Sequence, residues 1–148
     1  MLLLILVIKS FVYLIIDMIM KTKSRTTRYT PEDVYDFAGD GNVDELIIAL
    51  NQGNNSTNWY RNLFGNTALN MAAHHGNMNI VEILLDRGID INSKDDDGST
   101  ALDDAAREGH MNVVEILLDR GIDINSKNNH GSTALHWAAR YGLSLIHI

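Results

Sequence analysis

The chain has 148 residues, of which 45% are apolar and 21% charged, with one proline and no cysteine. That length suits one domain and leaves little room for a second. The missing cysteines exclude a disulfide scaffold, thiolate zinc sites and a cysteine nucleophile. The formal charge of −7 is uneven: residues 1–30 hold five bases and one acid, a net +4, so residues 31–148 carry −11. A body that acidic suits phosphate backbones poorly, which argues against nucleic-acid binding.

The first element is an apolar segment, residues 1–20, in which only Lys9, Ser10 and Asp17 are not apolar. Twenty such residues suffice to cross a bilayer as a helix. A central Lys9 costs about 3 kcal/mol on the insertion scale, against roughly 0.3–0.6 kcal/mol gained per apolar residue, so the sum stays favourable. A cleaved signal sequence would place positive charge before the run and small residues after it. Here Lys21, Lys23, Arg25 and Arg28 follow the run instead. Residues 21–30 read as a basic linker whose charge would hold the body on the cytoplasmic side. The competing expectation is that translation starts at Met20, where Met-Lys-Thr-Lys-Ser-Arg reads like an ordinary protein start, and residues 1–19 are upstream sequence. Localisation is accordingly expected to be cytoplasmic or, alternatively, membrane-anchored with the body facing the cytoplasm.

From residue 31 onward the dominant signal is internal repetition. Gly65, Gly98 and Gly131 are 33 residues apart, as are Gly76, Gly109 and Gly142. Met78–Lys94 matches Met111–Lys127 at every position except Ile80 against Val113. The tripeptide Thr-Ala-Leu recurs at 67, 100 and 133, and a diverged earlier copy aligns Gly41-Asn42 with Gly76-Asn77 and Gly53 with Gly88. The units are 31–64, 65–97, 98–130 and a truncated 131–142. Each predicts two short antiparallel helices and a turn. Thr67, Thr100 and Thr133 are N-caps, with Asn70, Asp103 and His136 three residues on to reach back. Thr30-Pro31-Glu32-Asp33 opens the first unit with proline at the first helical position. Val81, Leu84 and Leu85, repeated as Val114, Leu117 and Leu118, form the apolar stripe of each second helix. Gly88 and Gly121 end these helices in the left-handed conformation. Asn62, Asp95 and Asn128 set the turns between units.

Gly131-Ser-Thr-Ala-Leu-His-Trp-Ala-Ala-Arg-Tyr-Gly142 and Val114-Glu-Ile-Leu-Leu-Asp-Arg-Gly121 carry a specific pattern. In these residues the chain resembles the ankyrin-repeat family over 31–142. It departs mildly, with alanine for the family proline at 68, 101 and 134, and Asn70 and Asp103 for the family histidine. The resemblance implies an all-α solenoid of stacked helix-turn-helix units with β-turn fingers, here preceded by an apolar N-terminal helix. It also implies a non-catalytic protein-binding module. Leu143–Ile148 leaves the pattern and reads as a non-native, adapter-encoded tail, so the protein is expected to continue beyond Gly142. A solenoid ending on half a unit exposes an apolar face, and Leu135–Tyr141 is expected to fray or self-associate.

The expected partner is another protein, held on a concave face of turn tips and first helices. Residues 65–97 and 98–130 differ at ten positions, and nine of these lie in the turn or first helix or just beyond it. Drift under packing constraints would produce the same distribution. The first unit offers Trp59, Tyr60, Leu63, Phe64 and Asn66, beside His74 and His75. The same aromatics would serve equally as an apolar cap on the diverged unit. The next tip is acidic, with Asp95, Asp96 and Asp97, Ser99 behind them, and Asp103, Asp104, Arg107 and Glu108 nearby. The last offers His130, Trp137, Arg140 and Tyr141. Aromatics and arginine anchor interfaces, and a partner with an apolar anchor beside a basic patch would complement this gradient. A calcium loop forced onto Ser93–Asp104 lacks its first acid and its terminal glutamate. His74, His75 and His110 have no partner at metal-ligand spacing. No catalytic residue, cofactor or metal is therefore expected. The alternative functions are a membrane-tethered recruiting protein and the targeting arm of a larger enzyme.

Overall fold

The computed structural model describes residues 1–26, 28–52 and 67–142, with side chains for 1–19, 28–52 and 67–142. The elements among these residues are eight helices: α1 (Leu2–Thr26), α2 (Pro31–Asp40), α3 (Val43–Gln52), α4 (Ala68–His74), α5 (Met78–Asp86), α6 (Ala101–Glu108), α7 (Met111–Asp119) and α8 (Ala134–Arg140).

The helix starts are made locally. Thr30 donates its N–H to Asp33 Oδ2 at 2.6 Å, and Asp33 returns its own N–H to Thr30 Oγ1 at 3.3 Å. Thr100 N–H donates to Asp103 Oδ2 at 2.8 Å and Thr133 N–H to His136 Nδ1 at 3.1 Å. Thr67 Oγ1 accepts from Asn70 N–H at 3.0 Å. Each satisfies a donor that the first turn leaves without an intrahelical partner. At the other end, Gly88 and Gly121 stand at φ 81° and 82° with open space where a Cβ would go, so backbone conformation alone requires glycine there.

Helices of seven to ten residues do not hold themselves in water, and the packing supplies what they lack. The first helices stack in one layer, α2 on α4 on α6 on α8. The second helices α3, α5 and α7 each back their own partner, and α5 also packs on α7. The inner layer buries alanine pairs, Ala72-Ala73 and Ala105-Ala106, beside Leu69 and Leu102. Their small side chains bring neighbouring helices close. The outer layer buries Leu46, Ile80, Val81, Leu84, Val113, Val114 and Leu117, which completes one elongated core. On α8, Leu135 and Tyr141 remain 49% and 53% exposed.

Three sequence expectations need comment. The basic stretch is not a linker throughout: α1 runs without interruption to Thr26. Tyr29, expected in the same linker, is instead buried on the first unit. Its N–H donates to Gln52 Oε1 at 3.2 Å, its hydroxyl to Glu45, and its ring meets Phe37 edge-on at 5.5 Å. The bond to Glu45, together with burial, pushes the hydroxyl up to about 12, so this clamp keeps its proton at neutral pH. The long loop of the first unit and the tail 143–148 lie outside the described residues.

Leu84 is fully buried between the layers. Leu84→Ala is expected to lower the unfolding free energy by about 3 kcal/mol in urea titrations, the usual cost of such a cavity. Glu82→Ala, on the exposed side of the same helix, should change it by less than about 0.5 kcal/mol.

Candidate functional site

The turns between units project as fingers. Asp95 N–H donates to Ser99 O at 3.0 Å, and Asp95 Oδ1 accepts from Asp97 and Ser99 N–H at 3.0 and 2.8 Å. Asn128 repeats this arrangement with Ser132 and His130. Neighbouring fingers are joined: Asn129 donates its N–H to Asp97 O and its Nδ2 to Asp96 O, both at 2.9 Å. The tips are therefore held in fixed register rather than waving independently.

Beside the first of these fingers lies a cleft of about 270 Å³, lined by Tyr35, Asn70, Met71, His74, Asp95, Asp97, Asp104 and Arg107. Its floor is a hydrogen-bonded chain. Asn70 Nδ2 donates to Ser99 O at 3.2 Å and to Asp104 Oδ2 at 2.9 Å, across the junction between units. Asp104 Oδ1 takes Arg107 Nη2 at 2.7 Å. Burial pushes the Asp104 carboxyl up to about 6, against the opposing pull of Asn70 and Arg107. Arg107 Nε also donates to Glu108 at 3.2 Å, and its guanidinium lies 5.8 Å from the Trp137 ring centroid. Trp137 in turn stacks on Tyr141 at 6.5 Å, with the planes only 14° apart.

His74 Nδ1 faces two groups, Arg107 Nη2 at 3.4 Å and Glu108 Oε1 at 3.5 Å. Only a charged ring would form an ion pair with Glu108. Burial lowers the His74 pKa despite Glu108, which favours the neutral ring, and Nδ1 then accepts from Arg107 or donates to Glu108 according to its tautomer. His75 is exposed and meets the His74 ring edge-on at 4.9 Å.

The structure thus brings His74, Arg107, Glu108, Trp137 and Tyr141 into one strip across α4, α6 and α8. Asp96, Asp97 and His130 stand exposed on the fingers, and Arg140 is exposed at the end of α8. Ser99 is a correction: it is 4% exposed, because its N–H and carbonyl are drawn into the turn and the junction. Asp103 and Asp104, expected on the acidic surface, are also buried, at 1% and 5% exposure. Trp59, Tyr60, Leu63, Phe64 and Asn66 lie outside the described residues. Tyr35, Asn70 and Met71 also line the cleft. Asn70 and Met71 are among the positions that differ between the units, the signal that could have singled them out, whereas Tyr35 had none.

Asp103 occupies the position in its unit that Asn70 occupies in the unit before. Asn70 has an amide to donate across the junction, whereas an ionised carboxylate has none. Asp103 Oδ1 is buried without a hydrogen-bond partner among the described residues, and burial raises its pKa. Asp103→Asn is expected to stabilise the protein by about 1 kcal/mol at pH 7, read from the urea midpoint.

Asp104 supplies a pH signature. Its folded pKa of about 6 lies above the ordinary 3.8, so the folded state binds more protons between those values. The stability it contributes is fully present below about pH 4 and lost as pH rises through 6. The difference in unfolding free energy between wild type and Asp104→Asn should slope in that window and flatten outside it. His74, whose lowered pKa acts in the opposite direction, is present in both proteins.

The comparison with known families agrees with this architecture. A family model described as ankyrin repeats, in three copies, matches residues 36–128. No curated protein matches the chain. With well over half of its length in that match, and with helix pairs stacked at a fixed period, the chain belongs to the ankyrin-repeat family, whose members generally mediate protein–protein interaction.

Proposed function

We propose that this protein is an adaptor that holds a partner protein against the face formed by the inner helices and the fingers. The observation that supports it is the strip His74–Arg107–Trp137–Tyr141, an arginine and two aromatics lined up across three units beside acidic tips. Arginine and aromatic side chains supply much of the energy in protein interfaces. The aromatics bury a large area at little conformational cost, and Arg107 is already held by Asp104. The outer helices α5 and α7 present near-identical surfaces, since Met78–Asp86 and Met111–Asp119 differ only at the buried pair Ile80 and Val113. The differences at 74/107, 75/108, 96/129 and 97/130 reach solvent on the inner face and the fingers, while the half-exposed pair 77/110 lies at the start of the outer helices and bonds the unit before.

The chemistry of that face selects the partner. Glu108 is an exposed acid bonded to Arg107, which lies against Trp137, and Asp96 and Asp97 are exposed acids on the neighbouring finger. The best complement is a segment with an apolar or aromatic residue to lie on the stack and basic residues to meet the fingers.

Selection from a displayed peptide library, followed by titration of the best binder, tests this reading. Tyr141→Ala is expected to weaken binding at least about tenfold, near 1.4 kcal/mol. Glu115→Ala, exposed on the outer layer, should leave it within about twofold. Equal loss from both, or loss from Glu115→Ala alone, would place recognition elsewhere.

A further inference from the structure

We propose that α1 is a membrane-spanning helix that holds the repeats against the cytoplasmic surface of a bilayer, within the reach of a four-residue junction. The inference is independent of which face of the repeats binds a partner. It starts from the circumference of α1. Leu2–Ile19 has a mean hydropathy of 2.5, and every residue from Met1 to Ile19 is exposed. Consecutive residues of a helix point about 100° apart, so Leu2 to Ile8, seven apolar residues in a row, cover every direction. A helix meant for a groove on another protein would carry an apolar stripe and a polar back. Within Leu2–Ile19 only Lys9, Ser10 and Asp17 are polar, a short patch on one side rather than a polar back along the helix, so the surroundings that suit most of its circumference are apolar.

Length and charge fit the same surroundings. Eighteen residues rise roughly 27 Å, close to the ~30 Å hydrocarbon thickness of a bilayer. Lys9 lies about 10 Å inside the N-terminal end of that span, and helical side chains lean toward the N-terminus, so its ammonium can reach the interface on that side. At the other end α1 does not stop where the apolar run stops: it carries Lys21, Lys23 and Arg25 onward to Thr26 as one continuous helix. Arg25 stands about 9 Å beyond Ile19 along the axis, which is headgroup depth. Basic residues at that depth match anionic lipids and set the C-terminal side as cytoplasmic.

The junction then sets the distance. Only residues 27–30 separate α1 from α2, and Tyr29 is already clamped to Gln52, Glu45 and Phe37 of the first unit. Three peptide steps from Thr26 to Tyr29 reach at most about 11 Å. The acidic repeats are therefore confined to the layer of cytoplasm next to the bilayer, where two-dimensional confinement raises their effective concentration for other membrane-bound proteins.

The full chain synthesised with microsomal vesicles tests the proposal. Expected are co-sedimentation with the vesicles, resistance to alkaline carbonate, and digestion of the repeats by protease added outside. The double variant Leu6→Lys, Ile15→Lys should move at least about tenfold more protein to the soluble fraction. Because α1 does not line the core of the repeats, the helical melting of that variant should match wild type. Replacing Lys21, Lys23, Arg25 and Arg28 together by glutamate should protect a fraction of the repeats inside the vesicles. Carbonate extraction of the wild type, removal of residues 1–20 by signal peptidase, or repeats that are protease-protected in the wild type would each overturn the proposal.

Discussion

No described helix of the repeat region is long enough to persist alone, and that constraint governs the rest of the structure. Each unit must bury its apolar stripe on the next, so a side chain at a junction serves two units at once. Leu69 and Leu102 in the inner layer, and Ile80 and Val113 in the outer one, are buried in helices that pack on the neighbouring units. Burial of this kind is not directional and would tolerate units sliding over one another. Hydrogen bonds across the junctions remove that freedom. Asn77 Nδ2 donates to Ala38 O and Gly39 O at 2.8 Å, His110 Nε2 to His74 O at 2.9 Å, and Asn129 Nδ2 to Asp96 O at 2.9 Å.

These bonds explain why some positions vary between units without facing a partner. Asn77 and His110 precede helices α5 and α7, where a side chain normally caps its own helix. Neither does so, because each reaches back to carbonyls of the unit before. At Gly76 the consequence is steric as well: φ is 69°, and a Cβ would lie 2.6 Å from the His110 ring. Asn70 and Asp103 differ for a related reason, each answering to its own junction. Variation at 70/103 and 77/110 is thus a matter of packing, while that at 74/107, 75/108 and the finger tips reaches solvent.

The acidic character of the inner face is likewise layered. Asp103 and Asp104 are sealed beneath it, and Arg107 neutralises Asp104 while presenting its flat guanidinium toward Trp137. A buried carboxylate with a fixed cation acts here as a mount, orienting an arginine that would otherwise sample many rotamers. Asp96, Asp97 and Glu108 carry the charge that solvent and partners meet.

Much of this was legible in the residues themselves. The 33-residue period, the threonine caps with their partners three positions on, and the glycines after α5 and α7 depend on interactions within one or two turns of chain. Local chemistry therefore determined the units, their boundaries and their apolar stripes. The end of α1 was misread because composition changes at Lys21 while helical preference does not: lysine and arginine continue a helix as readily as leucine does. Burial of Ser99, Asp103 and Asp104, the clamp at Tyr29 and the strip from His74 to Tyr141 were decided only by tertiary structure. The contacts that decide them span the chain, 16 residues from Tyr29 to Glu45, 29 from Asn70 to Ser99, 33 from His74 to Arg107 and 34 from Asn70 to Asp104, and which groups meet depends on how one unit rotates onto the next.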